Sequence, residues 1–336
     1  MLKKYDVDFE VPVAWCNHPM VGQVHKEYVM AMRQTFKELQ VTVTERHVLP
    51  IGEPRRKTNG VVFSYHTCGN ERHQWHIKEG YLPYLFTFDR TGYSGWLSGI
   101  HQDSFKKAWQ SCDENHAIQT ITKLSKEITQ NCISKYPQRK STDACVESLE
   151  IHPNSSEKIL FLPLQMPSDT VVQLSRFPYI QAVSQIIKAA SLYDQPLVIK
   201  RHPLCEDPEV DKLLDWARNF PNVSLSSAPI HEIFKRSKAI ICCNSGVGFE
   251  ALLQGLQVWT FGESDYSPVT HEIFKTADFG KAMRSNPKIG LAKISTFLCT
   301  YLHQCCVDIR NKPHLKQHIQ RALLEYESSN SYSAVG

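Results

Sequence analysis

Between residues 159 and 261, short apolar runs alternate with helix-like stretches, and few folds accommodate such a pattern. Ile159–Gln165 (ILFLPLQ), Leu197–His202 (LVIKRH), Val223–Ser226, Ala239–Cys243 and Val258–Phe261 read as strands. The stretch from Pro178 to about Leu192, then Asp211–Phe220, His231–Arg236 and Phe249–Gln254, read as the helices between them. Short continuous apolar runs suit strands covered on both faces. Strand–helix–strand units then give a parallel sheet flanked by helices. In such a sheet, ligands bind outside the carboxyl ends of the strands.

The first half repeats the style less clearly. Val11–Cys16, Val61–Tyr65 and Leu85–Phe88 read as strands, and Val24–Leu39 as an amphipathic helix. The polar segment Tyr136–Glu157, with Pro137, Pro153, Asn154 and the Ser155–Ser156 pair, reads as the domain boundary. The spacing makes Leu291–Tyr326 helical around a break near Pro313. The expectation is an α/β protein of two Rossmann-type domains, residues 1–155 and 156–300, followed by a helical tail, 301–336.

The bulk numbers exclude some classes. A net charge of +4 over 336 residues is too weak for a nucleic-acid binder, but it suits an enzyme with an anionic substrate. The N-terminal MLKKYDVDFEVPVAWC lacks the apolar core of a signal peptide. No window holds the roughly 18 apolar residues that a spanning helix needs. The 11 cysteines, with adjacent pairs at Cys242–Cys243 and Cys305–Cys306, have no framework spacing and read as reduced thiols. A soluble or peripheral cytoplasmic protein is expected.

Four motifs carry candidate chemistry. Asn244-Ser245-Gly246-Val247-Gly248-Phe249-Glu250 follows a strand and opens a helix, where N–H groups and the helix dipole favour an anion. Ser245 adds a hydroxyl, and Glu250, read on the first turn, could accept from ribose hydroxyls. An ordinary tight turn explains the same residues. Lys200-Arg201-His202-Pro203 ends another strand, where His202 can donate to an anion and Lys200 or Arg201 supply charge; a solvated basic loop is the plainer reading. Leu164-Gln165-Met166-Pro167-Ser168-Asp169-Thr170 follows the strand at 159. Asp169 there is a candidate nucleophile, unless it merely caps a short helix. The stretches His76–Pro83 and Phe88–Trp96 crowd glycines, aromatics and charges without an amphipathic period, as loops lining a sugar site do. Tyr81, Asp89, Tyr93 and Trp96 are candidates there, with Glu79 and Asp89 as acid/base groups. His66, Cys68, His73 and His76 are zinc-ligand types, but in no recognisable zinc spacing.

Taken together, HIKEGYLP, FDRTGYSGW, LPLQMPSDT, KRHP and CNSGVGFEALLQG resemble the retaining β-Kdo transferases of bacterial capsular polysaccharide and O-antigen synthesis. The resemblance spans about Val61 to Gly262. It implies a GT-B-like fold with a cleft between an acceptor-side first domain and a donor-binding second domain. The implied donor is CMP-β-Kdo, and the acceptor a glycan or lipid-linked glycan. It also implies two displacements with net retention. In that scheme Asp169 is the nucleophile, Glu79 the acid/base group and His202 the stabiliser of the donor phosphate or sugar carboxylate. Lys200, Arg201, Gln165, Asn244, Ser245, Gly246 and Glu250 lie on the donor side. No metal or other cofactor is expected, because helix N–H groups and His202 can stabilise the departing phosphate. The tail's Lys312, Lys316 and Arg321 allow peripheral contact with the inner membrane, although a solvated helix face explains them equally well.

Three alternatives stay open: a transferase of the same shape using CMP-sialic acid or another CMP-ulosonate, a non-catalytic sugar- or nucleotide-binding protein, and a hexosyltransferase using a UDP-sugar. Lys238 upstream and no cation within the Ser245 loop weigh against the last.

Overall fold

The computed structural model describes residues 6–48, 60–71, 73–138, 158–285 and 287–333. The chain divides into two compact units, Met1–Ser111 with Thr300–Gly336, and Cys112–Cys299. Most of the boundary segment expected at Tyr136–Glu157 lies outside the described residues. The second unit begins earlier than residue 156, so the Glu114–Gln130 helix belongs with it. Both units are Rossmann-type α/β layers with mostly parallel six-stranded sheets, which is the GT-B class of fold.

In the first unit, β1 (Asp6–Val11), β2 (Thr42–His47), β3 (Val61–Tyr65), β4 (Gln74–Glu79) and β5 (Leu85–Asp89) stand in the order β5-β4-β3-β1-β2. The first four run parallel, and β5 is antiparallel to β4. The strand expected at Val11–Cys16 is a correction. Pro12 lacks a backbone donor and fixes its own φ, so β1 ends at Val11 and Val13–Cys16 form a short helix. The helix read at Val24–Leu39 is Gly22–Glu38. The His76 stretch is not all loop: Gln74–Glu79 is a strand buried throughout, with its own His, Lys and Glu inside.

In the second unit, β6 (Ile159–Pro163), β7 (Leu197–Lys200), β8 (Val223–Leu225), β9 (Ser237–Cys242), β10 (Gln257–Thr260) and β11 (His271–Glu272) form a wholly parallel sheet of order β11-β10-β9-β6-β7-β8. The intervening helices, Tyr179–Leu192, Pro208–Ala217, Ile230–Arg236 and Gly246–Leu253, fall within a few residues of their expected places. The last segment of the chain is split. Leu291–Gln304 is helical, β12 (Cys306–Asp308) pairs antiparallel with β5, and a second helix runs from Lys312 to Ser333. The break therefore precedes Pro313, which sits in the second helix's first turn.

Each sheet has its own apolar core. Phe9, Phe63 and Phe86 meet Tyr28 and Phe36 of the Gly22–Glu38 helix and Leu315 and Ile319 of the last helix. In the second unit, Leu160, Leu162 and Ile241 pack on Val183, Ile186 and Ile187. Burying each such side chain contributes about 1.5–3 kcal/mol. No described helix is long and apolar enough to cross a membrane.

The strand orders fix where a ligand can sit. In the first sheet the chain moves from β1 outward to β2, then reverses through β3. In the second it moves from β6 to β7 and β8, then reverses at β9. The carboxyl ends of β1 and β3, and of β6 and β9, flank these switch points.

Candidate functional site

Candidate residues of the second unit gather at the ends of β6, β7 and β9. Gln165 Nε2 donates to Asn244 Oδ1 at 2.9 Å, and Asn244 N donates back to Gln165 Oε1 at 3.1 Å. Asn244 Nδ2 also donates to the carbonyls of Val171 (2.7 Å) and Glu263 (3.0 Å). The two amides thus lock three loops together, and both are buried. Ser245 caps the Gly246–Leu253 helix, accepting from Val247 N at 3.2 Å, so Gly246 is the first residue of a positive helix end. Gly248 permits the approach of Tyr266, since a Cβ there would lie 2.7 Å from the phenol oxygen. That phenol donates to Ser245 O at 2.6 Å and holds the cap.

Asp169 is half-buried and caps the short helix Thr170–Leu174, accepting from Val171 N at 3.3 Å. It also exerts a charge effect on His202. Burial lowers the His202 pKa to about 4, against the upward pull of Asp169, so the ring is neutral at pH 7. Leu204 N donates to His202 Nδ1 at 3.2 Å. A backbone N–H can only donate, so the ring proton sits on Nε2, which is a hydrogen-bond donor.

The two cations beside His202 have other partners. Lys200 Nζ donates to the carbonyls of Ser227 (3.0 Å) and Ala228 (2.8 Å), and Arg201 pairs with Asp211. They brace the ends of neighbouring elements while lining the same pocket as His202. A further charge, that of Lys135, acts on both His202 and Glu250. Glu250 lies on the second turn of its helix, not the first, and is 2% exposed. One oxygen accepts from Ser134 Oγ at 2.8 Å, and Oε2 has no hydrogen-bond partner among the described residues. Burial pushes its carboxyl up to about 8, so it is mostly protonated at pH 7.

Sequence reasoning missed the strap that carries Lys135. Ile133 O meets His231 Nε2 at 3.1 Å, Tyr136 sets its ring edge-on to His202 at 5.1 Å, and Gln138 accepts from Ile230 N at 3.3 Å. A pocket lined by Pro137, Gln138, Arg201, His202 and Ser227 opens beside it. The segment's prolines and polar residues looked like a linker. No local signal marks it as part of a site.

In the first unit, Glu79 ends β4 and is 9% exposed. Lys78 donates to its Oε1, and the Tyr65 phenol to its Oε2. His25 Nε2 lies 3.5 Å from the same Oε2 and 2.5 Å from the phenol oxygen. The Lys78 ammonium lies 4.7 Å from the Trp15 ring centroid, and Trp15 stacks on His25 at 5.6 Å. Glu10, at the end of β1, accepts from Tyr65 N and from Ser64 Oγ. His25, Tyr65, Lys78 and Trp15 were not singled out in the sequence, since 40 residues separate His25 from Tyr65.

Asp89 is corrected. It is 5% exposed and accepts from Thr91 N and Oγ1 (both 2.8 Å), Gly92 N (3.2 Å), Ser98 N (3.0 Å) and Gly99 N (2.9 Å), and from Ser98 Oγ. So many donors make it the organiser of the 91–99 loop. Tyr81 and Tyr93 are buried, Tyr93 packing on His66 (5.1 Å) and Trp96 (5.7 Å). Only Trp96 keeps a half-exposed ring. The histidine-rich motif disperses: His76 Nδ1 meets Thr67 Oγ1 at 2.7 Å, and His73 packs on Tyr326 at 4.7 Å. Among the described residues no three His, Cys, Asp or Glu side chains converge as a metal site.

A family model described as "Capsule polysaccharide biosynthesis protein" matches residues 102–275. Protein FixF of Sinorhizobium fredii is 25% identical over 211 residues, which cover 61% of this chain and 46% of that protein. The chain thus spans less than half of that relative's length. Among solved structures, the Thermosulfurimonas dismutans KpsC β-Kdo 2,4 transferase superposes with a TM-score of 0.51 at 15% identity, covering 87% of this chain and 89% of that one. The KpsC β-Kdo 2,7 transferase of the same organism gives 0.50 at 15% identity, over 88% and 89%. At such identity the likeness is one of fold.

Proposed function

This chain belongs to the capsule polysaccharide biosynthesis protein family, and from that premise we propose that it is a retaining glycosyltransferase. It moves β-Kdo from CMP-β-Kdo to a glycan or lipid-linked glycan in the cytoplasm. The observation that carries the reading is the strand-end group of the second unit. There Asp169 neighbours a neutral His202 whose Nε2 is a donor, in a unit whose Ser245-capped helix end favours an anion. The β-Kdo transferases that share the fold support the choice of sugar.

In the first step an Asp169 oxygen attacks the anomeric C2 of the sugar. The C2–O bond to phosphate breaks, and CMP leaves with the electron pair. His202 Nε2–H and the helix end stabilise the departing phosphate, so the reading uses no metal. Lys135 takes the sugar carboxylate or the phosphate, and Glu250 the ribose. In the second step the acceptor oxygen forms the new bond to C2, the C2–Asp169 bond breaks, and the acceptor proton goes to Glu79. Two inversions give net retention.

The test is intact-protein mass after mixing with CMP-Kdo. The native chain should gain one Kdo and Asp169→Ala should not. CMP release from CMP-sialic acid but not from CMP-Kdo would move the donor to another ulosonate. Nucleotide binding without CMP release from either would reduce the protein to a binding module.

A further inference from the structure

We propose that His25 and Tyr65 are positioning residues for Glu79, forming with it a proton relay buried in the first unit. The inference rests on Glu79 being the group that takes the acceptor proton.

Proton counting on three hydrogen bonds carries it. His25 Nδ1 lies 2.9 Å from the Val21 carbonyl. A carbonyl only accepts, so Nδ1 holds a proton and the ring's remaining chemistry is at Nε2. Nε2 lies 2.5 Å from the Tyr65 oxygen, and the same phenol reaches Glu79 Oε2. One phenol proton therefore faces two groups that can accept it. With His25 neutral and Glu79 a carboxylate held by Lys78, the phenol donates to Glu79 Oε2. When a proton arrives on Glu79, its O–H donates to the phenol oxygen and the phenol proton turns to Nε2. Shifting both protons one place toward His25 makes an imidazolium and restores the carboxylate. No atom moves far, and no water competes, since His25 is 1% and Tyr65 0% exposed. Burial and the Glu79 charge hold the Tyr65 phenol well above its usual range, so it passes a proton along without standing as phenolate.

The balance fits the second step. The acceptor's electron pair forms the bond to C2, its proton lands on Glu79, the carboxyl proton moves to Tyr65, and the phenol proton moves to His25. The imidazolium stacks on the Trp15 indole, a face that favours a cation. Glu79 is then again a carboxylate, and the proton is released when the site next opens to solvent.

The test uses the full chain with CMP-Kdo and water as the acceptor. It measures the burst of CMP that reports adduct formation, the slower breakdown of the adduct, and the melting temperature. Glu79→Gln should slow breakdown by about 100-fold or more. Tyr65→Phe, which conserves volume, and His25→Gln should each slow it by about tenfold with the burst unchanged, while the lost buried hydrogen bonds lower the melting temperature by about a few degrees. If Glu79→Gln breaks down at the native rate, the role given to Glu79 fails and the relay with it. If Glu79→Gln is slow while both relay variants match the native chain, the relay is overturned and the Glu79 role stands. Equal slowing of burst and breakdown would make the two residues structural and also overturn the relay. A native chain with no burst sinks the whole scheme.

Discussion

The two units treat buried charge in opposite ways. At the strand ends of the first, Glu79 is surrounded by partners: an ammonium, a phenol and an imidazole. At those of the second, the buried ionisable groups are kept neutral. Glu250 has one hydroxyl partner and holds its proton up to about pH 8, while His202 stays unprotonated down to about pH 4. Burial is the largest cause of both second-unit shifts, and it has opposite signs because it penalises whichever form is charged. Neutral donors beside the Lys135 charge suit the binding of an anion. A site of paired charges suits the handling of a proton.

The comparison breaks if the first unit's carboxylates do not depend on their partners. Asp89 tests this most severely. Replacing it with alanine leaves four backbone N–H groups and the Ser98 hydroxyl of the 91–99 loop without their acceptor. Unfolding free energy should fall by about 3 kcal/mol or more, read from the denaturant midpoint. Loss of less than about 1 kcal/mol would mean that the loop reorganises around water.

Glu250→Gln tests the second unit with a smaller effect. The folded carboxyl titrates near 8 and the unfolded one near 4.5. Between those values the folded state holds more protons, so this group's contribution to stability is full below 4.5 and falls as pH rises to 8. His202 acts the other way between about 4 and 6.5, so the Glu250 slope stands alone above pH 6.5. Glutamine cannot ionise. From pH 6.5 to 8, native stability should fall relative to Glu250→Gln by about 2 kcal/mol, in urea titrations at each pH. Parallel curves would mean that Glu250 is ionised throughout.

Arg201→Ala should do least. Its pair with Asp211 is partly exposed, so stability should change by less than about 1 kcal/mol. CMP affinity by calorimetry should stay within about twofold. A tenfold loss would place Arg201 in the donor site as a second cation beside Lys135.

The second unit was largely legible in its sequence. Its strands are short apolar runs because both sheet faces are covered, and the turns after β6, β7 and β9 hold the motifs that were singled out. The first unit was harder. Gln74–Glu79 alternates only through Trp75 and Ile77, and its His, Lys and Glu are nonetheless buried with polar partners. Val11–Cys16 looked continuous until Pro12 ended the hydrogen-bond ladder. Glu79 and Asp89 are indistinguishable as sequence, both being acids at a strand end beside glycines and aromatics. The antiparallel register of β4 and β5 sends one into the Tyr65–His25 network and the other into a loop.

By itself, the sequence determined the layered α/β class, the parallel second sheet and the strand ends where chemistry could gather. These follow from apolar periodicity and turn residues, which act over a few neighbouring positions. Only the tertiary structure decided which polar groups are partnered. It tied Lys200 and Arg201 to carbonyls and Asp211, brought Lys135 over His202 and Glu250, and set His25 against Tyr65 and Glu79. The energy of a buried charge depends on what surrounds it in space, and those neighbours come from distant parts of the chain.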